Sequence, residues 1–385
     1  KNRGVMNEKK LHIVSFDVPY PPNYGGVIDV YYKLLQLKKL GVKIHLHVFC
    51  YGRTVSDHLN EVCEKVYSYP RKQHAWYLFS PVPYIVKSRT SHQLVKTLMQ
   101  EHDNAPILLE GLHTTSVIAD NQMISRRVIC RTANIEHHYY AALAKAEKRW
   151  FRKMFLFLES RKLKRWEKVL SFAAAIVPVS YTDYHYFKKQ YPMVKGEMLP
   201  VFHPFESVTC MEGLGSFVLY HGNLSVPENF LVAAELTSLL GDKADIALVV
   251  AGLLPPLFLK KHIERFSNVT LIDSPSEEAL QKLIQQAHIH LMFTHQATGM
   301  KLKLINALFN GRYIMANEEM LSGTALQKAC EVVPLDEMLP QRIKLLMKKP
   351  FLQQQIAERE QLITEELSNR RHAKKLVSII FPDGA

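Results

Sequence analysis

The chain has 385 residues, with 49 Lys or Arg against 36 Asp or Glu and a formal net charge of +13. Its 47% apolar and 22% charged content excludes a disordered or fibrous class and leaves room for two domains with separate cores. No apolar run approaches the roughly 18 residues of a bilayer-spanning helix, and the charged start KNRGVMNEKK, in which Met6 reads as the natural beginning, lacks the apolar core of a secretion signal.

The first half alternates strand and helix. Residues 11–16 (LHIVSF) read as a buried strand, followed by the loop 19–26 (PYPPNYGG) and a helix over 27–40 stopped by Gly41. A strand over 43–49 follows. Apolar runs at 107–109, 128–130 and 174–179 continue the rhythm of a parallel sheet with crossover helices.

Between 141 and 170 ten Lys or Arg face three Glu, so this segment carries +7, over half of the excess charge. Phe151, Phe155, Leu158, Leu163, Trp166 and Leu170 recur at helical spacing, which predicts one long basic amphipathic helix. Such a helix fits an anionic membrane surface, and equally a domain face with solvated charges. Nucleic acid is not the expected partner, since no zinc-finger spacing, RNP motif or helix-turn-helix pattern is present.

Prolines and glycines in 200–215 (PVFHPFESVTCMEGLG) mark a boundary. Beyond it, strands are predicted at 217–220, 246–250, 269–272, 289–293 and 313–316 with helices between. The expected division is 1–200, 201–365 and a terminal helix within 366–385. The five cysteines (Cys50, Cys63, Cys130, Cys210, Cys330) include no C-x-x-C pair, which predicts free thiols in a reducing cytoplasm and no structural zinc.

Several strand ends carry polar or glycine residues. Gly25 and Gly26 open a helix after the first strand. Glu110 and His113 end another, and Arg131, Asn134 and Glu136 follow the run at 128–130. In the second half Gly222 and Asn223 close one strand and Gly252 another. Each glycine also fits a plain tight turn, Glu110 a buried structural carboxylate, and Glu136 a helix N-terminal residue. There is no paired-aspartate metal motif, G-x-S-x-G elbow or reactive-cysteine context.

The stretch 298–316 (TGMKLKLINALFNGRYIMA) is the most informative. Leu302, Ile305 and Leu308 recur with Phe309 beside them, while Lys301, Lys303 and Asn306 fall on another face. Gly311 is expected to end this helix in the left-handed conformation. With a strand at 288–294 ahead of it, Gly299 lies at a strand-to-helix turn whose free N–H groups suit an anion. A simple turn with solvated lysines fits the same letters.

This stretch resembles, without a gap, the donor-site helix of the retaining GT-B fold glycosyltransferases of family four. There two glutamates, with seven residues between them, precede a run like A-(L/M)-x-x-G-x-(P/Y)-(V/I)-(V/M)-A. Ala307, Leu308, Gly311 and Ala316 match, while Thr298 and Asn306 replace the glutamates. The variant T-G-x-K-L-K-L-x-N-A-L resembles a bacterial branch of that superfamily. Two further departures stand out. Ala133 replaces the histidine of R-x-H-N-(I/V)-E, and Asn223 and Asn229 stand where an arginine and a lysine neutralise the donor diphosphate.

The resemblance implies an α/β chain of GT-B fold: two Rossmann-like doubly wound parallel-sheet domains facing across a cleft, with the terminal helix crossing back to the first. It implies metal-independent, retaining transfer of a sugar from a nucleotide diphosphate sugar to a glycan or lipid-linked acceptor in cell-surface polysaccharide synthesis. No cofactor is expected; the thiols point to a cytoplasmic location, and the basic segment, where its lipid-surface reading holds, to a peripheral place on the inner face of the plasma membrane. Asn134, Glu136 and Thr298 are then the catalytic candidates. Gly25, Gly26, Gly222, Asn223, Gly252, Gly299, Met300, Lys301, Lys303 and Asn306 are on the donor side, and Glu110, His113 and Arg131 on the acceptor side. Lys301, Lys303 and Arg312 are the nearest replacement cations. The missing side chains also fit a GT-B protein that binds nucleotide or glycan without catalysis, as partner of an active transferase, and a GT-B sugar-nucleotide epimerase is a further alternative.

Overall fold

The computed structural model describes residues 9–100, 104–123, 125–297 and 301–382. The chain forms two compact units, Lys1–Pro204 with Asn369–Ala385, and Phe205–Ser368.

The first unit is built on seven parallel strands: β1 (Lys10–Ser15), β2 (Lys43–Cys50), β3 (Lys65–Pro70), β4 (Ile107–Glu110), β5 (Val128–Thr132), β6 (Ala175–Pro178) and β7 (Lys195–Gly196). Their order is β3-β2-β1-β4-β5-β6-β7, with β1 between β2 and β4. The central strands are mostly apolar because helices cover both faces, and the buried His12 and His47 among them pair with each other at 3.0 Å. Helix Gly25–Lys39 packs Val27, Val30, Leu34 and Leu37 into the core and ends where Gly41 takes φ 77°. The terminal helix Asn369–Ile380 belongs to this unit and packs Leu376 and Val377 into the same core. Arg127 caps it by donating to the carbonyls of Ile379 and Ile380 at 2.9 and 3.1 Å.

Four buried charges tie these elements together. Lys33 Nζ lies 2.9 Å from Asp29 and 2.8 Å from Glu110, and Arg131 makes a forked contact to Asp29 at 2.9 and 3.2 Å. Asp29 also accepts from the Phe202 N–H at 2.8 Å, and Arg131 donates to the carbonyls of Leu199 and Pro200 at 2.5 and 2.9 Å. Burial alone would raise the Asp29 pKa, but Arg131 and Lys33 outweigh it and hold the carboxylate ionised. Glu110 and Arg131, expected on the acceptor side, are therefore committed to the fold. Each is 2% exposed, and the forked guanidinium is consumed by Asp29 and backbone carbonyls.

The basic segment is two helices where one was expected. Glu136–Ala146 and Trp150–Trp166 form a hairpin, followed by a 3-10 turn at Glu167–Phe172. The break falls at Glu147, whose backbone is extended and whose carboxylate accepts the Arg149 N–H at 3.0 Å, a local bond that competes with continued helix. The inward face also differs: Leu156, Glu159 and Leu163 are buried, whereas Phe151 and Leu158 face solvent.

The second unit has six parallel strands: β8 (Val218–Asn223), β9 (Leu248–Leu253), β10 (Val269–Asp273), β11 (Ile289–Met292), β12 (Tyr313–Ala316) and β13 (Glu331–Val332). Their order is β10-β9-β8-β11-β12-β13. Counted within its own unit, the second sheet runs 3-2-1-4-5-6, the doubly wound dinucleotide-binding order, and the first runs the same way with a seventh strand added after the sixth; the switch points lie between β1 and β4 and between β8 and β11. Helix Leu302–Asn310 buries Leu304, Ile305, Ala307, Leu308 and Phe309. Gly311 follows it in extended backbone, φ −106° and ψ 164°, not in the expected left-handed conformation. Its lack of a side chain serves packing, since a Cβ there would lie 2.2 Å from His290 Nε2.

The charge network predicts a large penalty for removing one member. Arg131→Met leaves Asp29 buried with half its partners, and the free energy of unfolding should fall by about 3–5 kcal/mol in urea denaturation. A loss under about 1 kcal/mol would show that the network contributes little.

Candidate functional site

In doubly wound sheets ligands bind outside the carboxyl ends of the strands at the switch point. In the second unit that point lies where β8 and β11 end. β8 delivers His221, Gly222 and Asn223, and β9 delivers Ala251 and Gly252 alongside. A Cβ on Gly252 would sit 2.0 Å from the Gly222 carbonyl oxygen, so the two strand ends approach as closely as they do only with glycine. Asn223 spends its side chain on the turn, accepting from the Ser225 N–H and hydroxyl at 3.0 and 2.7 Å.

Lys303 reaches back over these strand ends. Its ammonium donates to Asn229 Oδ1 at 3.4 Å and the Phe293 carbonyl at 3.3 Å, and lies 5.1 Å from the centre of the Tyr220 ring. Burial lowers its pKa to about 8; Glu228 works against this and Lys301 adds to it. Asn229 itself donates to the Asn223 carbonyl at 2.9 Å, so the lysine, the asparagine and the end of β8 form one hydrogen-bonded group. The neighbouring His221 is buried with Nε2 unpartnered, and burial followed by Lys303 pushes its pKa to about 3, which keeps the ring neutral.

The loop after β11 is fixed by Glu228, which the sequence reading missed. This carboxylate, in the first turn of helix Pro227–Leu240, accepts from the Thr294 hydroxyl and from the N–H groups of His295 and Gln296, both at 3.1 Å. Asn317 supports the same loop, donating to the Thr294 carbonyl at 2.7 Å and accepting its N–H at 3.2 Å. Thr298, Gly299 and Met300 lie outside the described residues. Lys301 follows them, its ammonium donating to the carbonyls of Gln296 and Glu319 at 3.2 and 3.4 Å. Asn306 accepts from Asn310 at 2.8 Å. Arg312 is not a ligand cation: it is 5% exposed and donates to the carbonyls of Gln285, Ala287 and Glu212.

The switch point of the first unit carries a second group. Gly25 and Gly26 open helix Gly25–Lys39, with Gly26 against the Phe16 ring. His113 packs on that ring, centroids 5.3 Å apart, and is half-buried, with a buried, unpartnered Nδ1. Burial, then Arg89 and Arg71, drive its pKa well down, so it is a neutral imidazole. Arg89, another residue missed in the sequence, is 6% exposed and donates to the carbonyls of Phe16 and Ile85, both at 2.8 Å. Asn134 has a buried, unpartnered Oδ1. Glu136 starts helix Glu136–Ala146 and is 6% exposed; its pKa is raised to about 7, chiefly by burial, with Asp183 and Glu167 adding and Arg89 opposing. His137 is taken by Glu167 at 3.1 Å.

No protein-family model matches the chain. In sequence it is 26% identical over 350 residues, covering 86% of this chain and 88% of the relative, to an uncharacterized 44.6 kDa protein in the cps region of Klebsiella pneumoniae. Among solved structures it is similar to Anabaena Alr3699/HepE in complex with UDP and glucose, with TM-score 0.61, 8% identity and 97% and 100% of the two chains covered. It is also similar to the Candida albicans trehalose-6-phosphate phosphatase N-terminal domain, with TM-score 0.63, 9% identity and 100% and 98% covered. A third is the E. coli protein described as trehalose-6-phosphate bound with UDP-2-fluoro glucose, with TM-score 0.63, 10% identity and 96% and 98% covered. With two parallel-sheet α/β units of seven and six strands, the chain has the GT-B fold.

The Glu136 environment has a measurable consequence. Its folded pKa of about 7 lies above the ordinary 4.5, so the folded protein keeps a proton that the unfolded chain has lost, and ionisation destabilises the fold as pH rises through this window. Glu136→Gln removes that penalty, and the variant should gain about 2 kcal/mol on the wild type between about pH 5 and pH 8 in urea denaturation. A constant difference across the window would contradict the assigned environment.

Proposed function

We propose that this chain is a glycosyltransferase that takes a nucleotide diphosphate sugar at the β8/β11 switch point of its second unit and transfers the sugar to a glycan or lipid-linked acceptor. The observation that carries this reading is the Lys303 ammonium, partly desolvated beside Asn229 at the carboxyl ends of those strands. In the resembling family a lysine at the place of Asn229 neutralises the donor diphosphate. Here a lysine from another element brings its ammonium to that same residue.

The chemistry follows from charge. As the bond from sugar to diphosphate breaks, negative charge grows on the departing phosphate oxygens, and a fixed ammonium with backbone N–H dipoles stabilises it without rearrangement. Lys303 supplies the cation, Lys301 lies at the start of the same helix, and Asn306 keeps an amide N–H for a donor hydroxyl. On the first unit we assign His113, Asn134 and Glu136 to the acceptor and the transferred sugar. A carboxyl group titrating near neutrality suits proton exchange with a hydroxyl. The resemblance adds retention of anomeric configuration without a required metal. The relative in a cps region supports a place in cell-surface polysaccharide synthesis.

A second reading keeps the fold and the nucleotide but not the reaction. Ala133, Thr298 and Asn306 replace side chains that the resembling enzymes use, and a binding partner of an active transferase would tolerate those losses.

Thermal shift with UDP, GDP and their sugars, followed by nucleotide release with an acceptor mixture, separates the readings. Transfer predicts stabilisation by one nucleotide and acceptor-dependent release. Binding without turnover supports the partner, release to water alone supports an epimerase, and no stabilisation by any nucleotide overturns the site. Lys303→Met should weaken the stabilising nucleotide at least about tenfold. In the wild type, affinity should fall as pH rises above about 8 and the ammonium deprotonates, whereas the variant should be flat.

A further inference from the structure

The hairpin helix Trp150–Trp166 turns three of its aromatic residues, Trp150, Phe151 and Phe157, outward. On the face opposite buried Leu156, Glu159 and Leu163 lie Trp150 (64% exposed), Phe151 (83%), Met154 and Phe157. The next turns of that outer face carry Arg161, Lys164 and Arg165. Six basic residues stand on this helix against one acid, Glu159, which is buried, so every charge shown to solvent is positive.

A second segment is clamped beside it. Glu159 accepts the Tyr84 N–H at 2.7 Å, and Lys162, paired to Glu159 at 2.8 Å, donates to the Leu78 carbonyl at 2.7 Å. These bonds hold the 3-10 turn Ala75–Phe79 against the helix, with no buried residue of its own. Trp76 (64% exposed) and Phe79 (89%) thereby stand exposed on a turn bound to that helix. Trp76 is stiffened by stacking on His74, centroids 4.1 Å apart.

We infer that this face docks on the surface of an anionic lipid bilayer. Aromatic side chains project from two adjoining segments beside Lys and Arg, the composition that settles at the headgroup boundary, apolar tips inserted and cations on lipid phosphates. A second copy of the chain is the poorer occupant, because an isologous contact would press one all-basic face on another. None of the described helices is long and apolar enough to cross a membrane, so attachment through this face is peripheral. The inference is independent of the donor site.

Vesicle co-sedimentation of the full chain tests it, with phosphatidylcholine alone and with phosphatidylglycerol added. The expected result is binding to the anionic vesicles at low salt, weakening as salt is raised, with a blue shift of tryptophan emission. Phe79→Ser with Phe151→Ser, at exposed positions that leave the melting temperature unchanged, should weaken binding at least about tenfold. Arg161→Gln and Arg165→Gln should each cost roughly fivefold. Absence of binding at low salt, or undiminished binding of the phenylalanine variant, overturns the inference. So does a concentration-dependent dimer that the phenylalanine variant abolishes while vesicles go unbound, which assigns the face to a second copy.

Discussion

A parallel sheet covered by helices on both faces leaves backbone open to a ligand only at the ends of its strands, and this constraint organises both units. Mostly apolar strands force burial of both faces, and right-handed crossovers place every strand-to-helix loop at the carboxyl edge. Where the winding reverses, beside β1 and β8, neighbouring loops part and polar side chains reach the opening. Glu228 shows how firmly the edge is built. It takes one hydroxyl and two backbone N–H groups, so residues 294–296, just after β11, are held by a carboxylate.

Lys303 turns that geometry into chemistry. An ammonium drawn partly out of water is costly unless an anion completes its shell, and its pKa, lowered by burial to about 8, reflects that cost. Two weak contacts, to Asn229 and a carbonyl, hold it in place without neutralising it. Contrast Arg131, whose carboxylate and carbonyl acceptors consume its fork and make it part of the scaffold. Both are buried cations, and the number and charge of their partners separate structure from site.

The sequence disclosed the interior strands because buried parallel strands are mostly apolar, as in β1, β4 and β11, where single residues such as His12 and His290 break the run. It hid β3, β7 and β13: the first is an edge strand exposed along much of its length, and the other two are two residues long. Gly222, Gly252 and Lys303 were legible at strand ends or on a helix face. Glu228 and Arg89 were not, since a lone charge carries no period and its role depends on loops distant in sequence. Gly311 was the right residue with the wrong cause, because the approach of His290 appears only once β11 and β12 are paired. The hairpin of the basic segment was hidden because its charge reads as one run, while the apolar spacing that argued for a helix, Phe151 to Leu170, begins beyond the break at Glu147.

The ionisation of Lys303 with and without nucleoside diphosphate is the most direct test of the central claim. NMR titration of the isotopically labelled side chain should give a pKa near 8 in the free protein and a rise of at least about one unit when UDP or GDP is bound, as a phosphate nearby favours the ammonium. A pKa unmoved by a nucleotide that demonstrably binds would place the diphosphate elsewhere and contradict the account.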